Sequence, residues 1–262
     1  MKAKPLAAAT FVAGMSIVAA ANADTFEITY EAPGVQTSSA KFSVMGVENF
    51  NEQPTGVGSG FTSTFGNNGA ISGTYSPSSG SNGVQINSAG LFGGAGGTGN
   101  YIVAYGSDSY TLTLANNATV NPNGINYFGF WLSALDGGNT VSFYNGAHLL
   151  ETLTPADVLS KVGADDAYYG NPNGKFAGQD PDEPFVFVNF YDLNGTFDKI
   201  VFSEVPGMGG FESDNHTIGF YTQIGGMPAA PEVSTWMMVG LGFAGLAFAA
   251  GRRPRRDGRA IA

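Results

Sequence analysis

Short runs of alternating apolar and polar residues recur along the chain between clusters of Gly, Asn, Ser and Pro. Phe26 to Tyr30 (FEITY) and Ala70 to Tyr75 (AISGTY) alternate in this way. Further β-rich runs are Tyr101–Tyr105, Tyr110–Leu114, Tyr127–Leu132, Thr140–Tyr144, Phe185–Tyr191, Phe197–Phe202 and Thr217–Tyr221. A period of two, carried by aromatic and β-branched residues, predicts half-buried antiparallel strands. Many strands without intervening helices predict an all-β fold, an antiparallel β-sandwich or jelly roll. Asn145-Gly146 and Asn194-Gly195 are the dipeptides of hairpin turns with positive φ. One short helix is predicted from Pro155 to about Lys161, capped by Thr154, with Asp157 near its positive end. Residues 24–228 fit one such domain, since all-β domains run to about 200–250 residues.

Both ends break this pattern. Lys2 and Lys4 precede an apolar run from Leu6 to Ala21, and Ala21 and Ala23 place small residues before a cut at Asp24. Residues 1–23 therefore read as a secretory signal peptide, which exports the body. At the other end, residues 229–262 hold the uncharged stretch Val233–Gly251. A spanning helix needs about 17–25 apolar residues, so one is predicted over about 234–251. Trp236 suits the outer headgroup level, and Arg252, Arg253, Arg255 and Arg256 suit the cytoplasmic side.

Charge narrows the partners. Residues 24–231 carry nineteen Asp and Glu against four lysines, Lys41, Lys161, Lys175 and Lys199. So acidic a body repels phosphate backbones, and nucleic-acid binding is excluded. With 43% hydrophobic residues the chain has ample material for a core. The absence of Cys excludes disulfides, thiolate zinc sites and a cysteine nucleophile.

The candidate chemistry is sparse. Gly94 to Gly99 spells G-x-G-x-x-G, but a strand-like run follows where a dinucleotide site needs a helix, so a flexible surface loop is expected. His148 and His216 read as surface or hydrogen-bonded structural residues. A Ser-His-Asp triad assembled in space stays open, without a G-x-S-x-G elbow to support it. Glu212, Asp214 and Asn215 group oxygen ligands suited to calcium, or to acid and base roles in glycoside hydrolysis, or simply to a turn. The long stretch from Gly163 to Pro184, rich in acidic residues, suggests a binding surface or ion site, with Tyr168 and Tyr169 as sugar-stacking candidates. Sequons stand at Asn117, Asn194 and Asn215, and a sequon alone carries little weight.

The C-terminal layout resembles the PEP-CTERM sorting signal: Pro231, Glu232, Ser234, Thr235 and Trp236, then a Gly/Ala/Leu-rich span, then Arg252 and Arg253. Val233 stands where that family has a second Pro. The resemblance implies cleavage by a membrane protease, exosortase, in the envelope of an exopolysaccharide-making Gram-negative bacterium. Blocks within residues 127–221 resemble a subgroup of exosortase-dependent surface proteins: Phe128–Trp131, Asn139–Gly146, Val188–Tyr191, Phe197–Ile200 and Phe211–His216. That subgroup brings no assigned activity. The expectation is a non-enzymatic surface or matrix protein, structural or adhesive in a biofilm. Its partners would be signal peptidase, exosortase, the membrane and exopolysaccharide. The competing expectation is a carbohydrate-binding module or carbohydrate-active enzyme on the same sandwich, recognisable by an exposed groove of paired carboxylates and aromatic rings. A third is a protein that keeps its membrane anchor.

Overall fold

The computed structural model describes residues 25–78, 83–205 and 208–228. The expected signal peptide, its cleavage site at Ala21–Asp24, and the sorting segment with Pro231–Trp236, the apolar span and Arg252–Arg253 lie outside the described residues. No helix among the described residues is long and apolar enough to cross a membrane.

Two antiparallel sheets make up the body. The larger runs in the order β15 (Met227–Pro228), β1 (Phe26–Tyr30), β12 (Val186–Asp192), β9 (Tyr127–Ser133), β14 (Gly210–Gln223), β7 (Asn100–Tyr105), β6 (Val84–Ser88) and β3 (Gly56–Val57). An additional strand, β2 (Lys41–Glu48), also pairs with β14. The smaller sheet runs β11 (His148–Leu153), β10 (Thr140–Asn145), β13 (Lys199–Ser203), β8 (Ser109–Asn116), β5 (Ile71–Pro77) and β4 (Phe61–Phe65).

Alternation explains how the sheets meet. On β8, Tyr110, Leu112 and Leu114 are buried while the intervening residues are more exposed. Phe128 and Phe130 of β9 face Phe143 and Phe202 across the interlayer, with Phe130 and Phe202 centroids 5.5 Å apart and edge-on. Each fully buried phenylalanine contributes roughly 1.5–3 kcal/mol relative to exposure, so these rings dominate the core.

Two sequence expectations are corrected here. β9 and β12 are buried along their whole length rather than on one face. The outward side is covered too: Trp131 and Phe187, with Ala134 and with Phe185 just before β12, form a second cluster against Ala95 from the 89–99 segment. Second, Asn194-Gly195 turns no hairpin, because it links β12 and β13 in different sheets. Asp192 Oδ1 instead accepts the Gly195 and Asn194 N–H groups at 2.7 and 3.3 Å, an Asx turn. Asn145-Gly146 does turn the β10–β11 hairpin, with Gly146 at φ 58°. The helix α1 (Pro155–Val162) begins as expected: the Thr154 N–H donates to Asp157 Oδ2 at 2.8 Å.

The strand that organises the rest is β14. Its Gly210–Ser213 half pairs with β7, and its His216–Gln223 half pairs with β2. At the changeover its register against β9 shifts between Asp214 and Thr217, with Asn215 in left-handed backbone at φ 49°. This bulge inserts one residue and inverts the facing of everything after it.

Candidate functional site

The hexapeptide Phe211–His216 straddles the bulge, and its side chains part to three destinations. Phe211 and Ser213 point inward by ordinary alternation. His216 would point outward in an unbroken strand, but the extra residue at the bulge returns it to the core, where it is 0% exposed.

Inside, these residues tie the sheets together. Tyr75 Oη of β5 lies 3.0 Å from His216 Nδ1. His216 Nε2 lies 3.1 Å from Ser213 Oγ, which is 2.7 Å from Tyr110 Oη of β8. Phe202 stacks on the imidazole at 5.1 Å. Burial lowers the His216 pKa to about 3, so the ring is neutral and each nitrogen serves one hydroxyl. Burial also holds Tyr75 and Tyr110 well above the usual phenol range. Ser213 and His216 are therefore hydrogen-bonded as in a hydrolytic triad, but Tyr75 stands in the third place and the set is sealed in the core. His216 is a structural cross-brace. His148, the other histidine, is exposed at the β10–β11 hairpin.

Asp214 and Asn215 fasten loops. Asp214 Oδ2 accepts the Ala95 N–H at 2.7 Å, and Oδ1 accepts the Asn215 N–H at 2.6 Å. Burial raises the Asp214 pKa to about 7, and these two N–H groups partly offset it. The Asn215 amide donates to the Gln36 carbonyl at 3.0 Å, while Gln36 Oε1 accepts from Gly96 N–H. Asn173 and Asn171 reach from the 163–184 segment to carbonyls of Gly94 and Leu91. The Gly94–Gly99 segment is thus a stapled loop rather than the flexible one expected, and its Ala95 amide already serves a carboxylate. Tyr168, a sugar-stacking candidate in sequence, is buried and donates to the Glu31 carbonyl at 2.9 Å. Tyr169 is half-buried and donates toward the Gly163 carbonyl at 3.4 Å.

Glu212 lines a pocket on the outer side of the strand. This cavity of about 350 Å³ is lined by Glu212, Asp136, Glu183, Phe92 and Tyr105, with Ala134, Gly209 and Gly210. The two glycines make room for acid groups: a Cβ at Gly209 would strike the Asp136 carboxylate, and one at Gly210 would strike that of Glu212. Asp136 Oδ2 accepts the Gly210 N–H at 3.0 Å. Behind the wall, Asn139 donates to Glu204 Oε2 and to the Gly210 carbonyl. Glu212 is 4% exposed, and its Oε2 has no hydrogen-bond partner.

The electrostatics follow from crowding acids without cations. Burial, and then the charges of Asp136, Glu183 and Glu204, push the Glu212 pKa up to about 9. Burial followed by Asp180 and Asp136 raises Glu183 to about 8. Burial and the charge of Asp136 bring Glu204 to about 7.

The calcium grouping read from sequence is therefore dispersed: Glu212 faces the pocket, Asp214 holds Ala95, and Asn215 holds Gln36. Among the described residues no three His, Asp or Glu groups are arranged to hold a metal ion. Sequence reasoning missed Asp136 and Glu204, and it placed Glu183 with loop acids instead of with Glu212. The signal available was glycine beside acid, as in Asp136-Gly137-Gly138 and Gly209-Gly210-Phe211-Glu212. No protein family, curated protein or solved structure matches the chain.

Proposed function

We propose that this chain is an exported surface or matrix protein. The N-terminal signal peptide delivers it, an exosortase-type protease sorts it through its C-terminal segment, and the β-sandwich is its working body. The observation that carries this reading is the pair of address-like ends flanking a self-contained domain. Supporting it, β15 pairs with β1 at Tyr30↔Met227 and Thr29↔Pro228, so the chain enters and leaves the body on one sheet edge. A body joined to both ends along one edge can stand away from a membrane with its other loops presented outward.

The Glu212 pocket favours adding the carbohydrate-binding reading to this one. It combines the buried Glu212 and the half-buried Asp136 and Glu183 with the aromatic rings of Phe92 and Tyr105, the composition expected where sugar hydroxyls meet acceptors and a ring face meets an aromatic. The sandwich is then a displayed binding module in a polysaccharide matrix.

Expression of the full chain beside a version ending at Pro228, in a Gram-negative host that carries exosortase, tests the sorting reading. The full chain is expected in the membrane and surface fractions, and the shortened one in periplasm or medium. Identical soluble fractionation of the two would overturn the role of the C-terminal segment.

A further inference from the structure

We propose that the pocket formed by Asp136, Glu183 and Glu212 binds an amine-bearing saccharide, a hexosamine ring with an unacetylated ammonium group. The inference deepens the saccharide-binding reading above and rests on it. Four features of the pocket lead there.

Glu212 comes first. It is more than nine-tenths buried, lines the cavity, and has an oxygen without a partner. A buried unpartnered carboxylate oxygen is costly, and a donor arriving from the cavity removes that cost.

Second, the walls supply acceptors and no counter-charge. None of Lys41, Lys161, Lys175 and Lys199 lines the cavity. Among the described residues a cationic donor group on the ligand is therefore the complement of these walls, whereas uronic acids and phosphates would add further negative charge to the acid cluster. An ammonium brings charge-assisted donors whose hydrogen bonds Glu212 can accept without three carboxylates converging on one point.

Third, the mouth is aromatic. Phe92 is 48% exposed, and Tyr105 is half-buried with its hydroxyl accepting from Asn87 at 3.0 Å. An exposed ring beside acids offers a platform for the apolar face of a sugar and a cation–π contact for its ammonium.

Fourth, the space suits an organic molecule. Ligand pockets run from about 300 to 1,000 Å³, and the cavity of about 350 Å³ sits at the end suited to one or two rings. A bare metal ion finds no three acidic groups arranged around it.

Proton balance gives a further signature. Glu183 and Glu212 hold protons up to about pH 8 and 9, and an ammonium placed among them favours the ionised forms. Binding therefore releases protons, which a neutral sugar would not require.

The test is calorimetry on the purified full chain with four probes: a glucosamine tetramer, its fully N-acetylated counterpart, a uronic-acid oligomer and calcium chloride. The glucosamine tetramer is expected to bind at least tenfold more tightly than the acetylated one, with proton release seen across buffers of different ionisation enthalpy. Glu212→Gln, which keeps shape and fold, is expected to lose at least tenfold in affinity. Phe92→Ala, at an exposed position, is expected to lose several-fold. Equal affinity for the two tetramers overturns the amine selectivity while sparing the saccharide reading. Absence of binding to every sugar overturns both. Glu212-dependent binding of calcium alone replaces the saccharide with a metal.

Discussion

Replacing His216 with alanine is expected to cost on the order of 3–5 kcal/mol of unfolding free energy, the range for deleting a large buried ring. The imidazole is fully buried and packs against Phe202 at 5.1 Å, Phe50 at 5.0 Å and Phe128 at 5.4 Å. Its removal leaves a cavity bordered by those rings. It also leaves Tyr75 Oη without its partner in the core, while Ser213 Oγ keeps Tyr110 Oη. The second effect adds to the first, because an orphaned buried hydroxyl costs about 1–3 kcal/mol. Urea unfolding measures the loss, and His216→Gln, which keeps an amide near the hydroxyls, should recover part of it. A cost below about 1 kcal/mol for His216→Ala would contradict the cross-brace, since contact deletions at sealed core positions are larger than that.

The second large effect is an inverted pH dependence. His216 titrates near 6.5 when unfolded and about 3 when folded. The unfolded chain takes up that proton first, so stability falls as pH drops from about 6.5 toward 3. The pocket carboxyls act the other way. Glu212 moves from 4.5 to about 9, Glu183 to about 8 and Glu204 to about 7. The folded state keeps protons that the unfolded chain has released, so their contribution is whole below about pH 4.5 and is lost as pH rises toward 9. Asp214, raised to about 7, adds to the same side.

Between pH 4.5 and 6.5 the histidine opposes the carboxyls, and above 6.5 nothing does. Four carboxyls outweigh one histidine in that window, so thermal melts should show the highest stability near pH 4 and a decline toward pH 9. Glu212→Gln should flatten the decline and melt higher than the parent at pH 8–9. A parent melting point that rises from pH 5 to 8 would contradict a pocket of unneutralised acids.

Much of the fold was legible because sheet cores advertise themselves. Phe26–Tyr30 and Thr140–Tyr144 alternate cleanly, and each became a strand with nearly the expected ends. β2 was not legible: Val44 and Met45 adjoin in Lys41–Glu48, which breaks the period of two. β6 offers only Val84 and Ile86 as apolar anchors.

The first half of β14 was hidden for a different reason. Glu-Ser-Asp-Asn-His is too polar to suggest a mostly buried strand. It becomes one because Tyr75, Tyr110, Ala95 and Gln36, all remote in sequence, meet most of those polar groups. The same distance scattered the site. Asp136, Glu183 and Glu212 lie in three separate stretches and meet only through the order in which β9, β12 and β14 pair. Adjacency in sequence grouped Glu212 with Asp214 and Asn215, and the bulge then sent them apart.

The most direct test of the surface-protein account is the intact mass of the mature protein, recovered separately from cell envelope and medium. The account predicts a chain that begins at Asp24 and ends near the Pro231–Trp236 region, without the apolar span and the arginines. A chain retaining its C-terminus through Ala262 and confined to the membrane would contradict sorting and leave a permanently anchored protein.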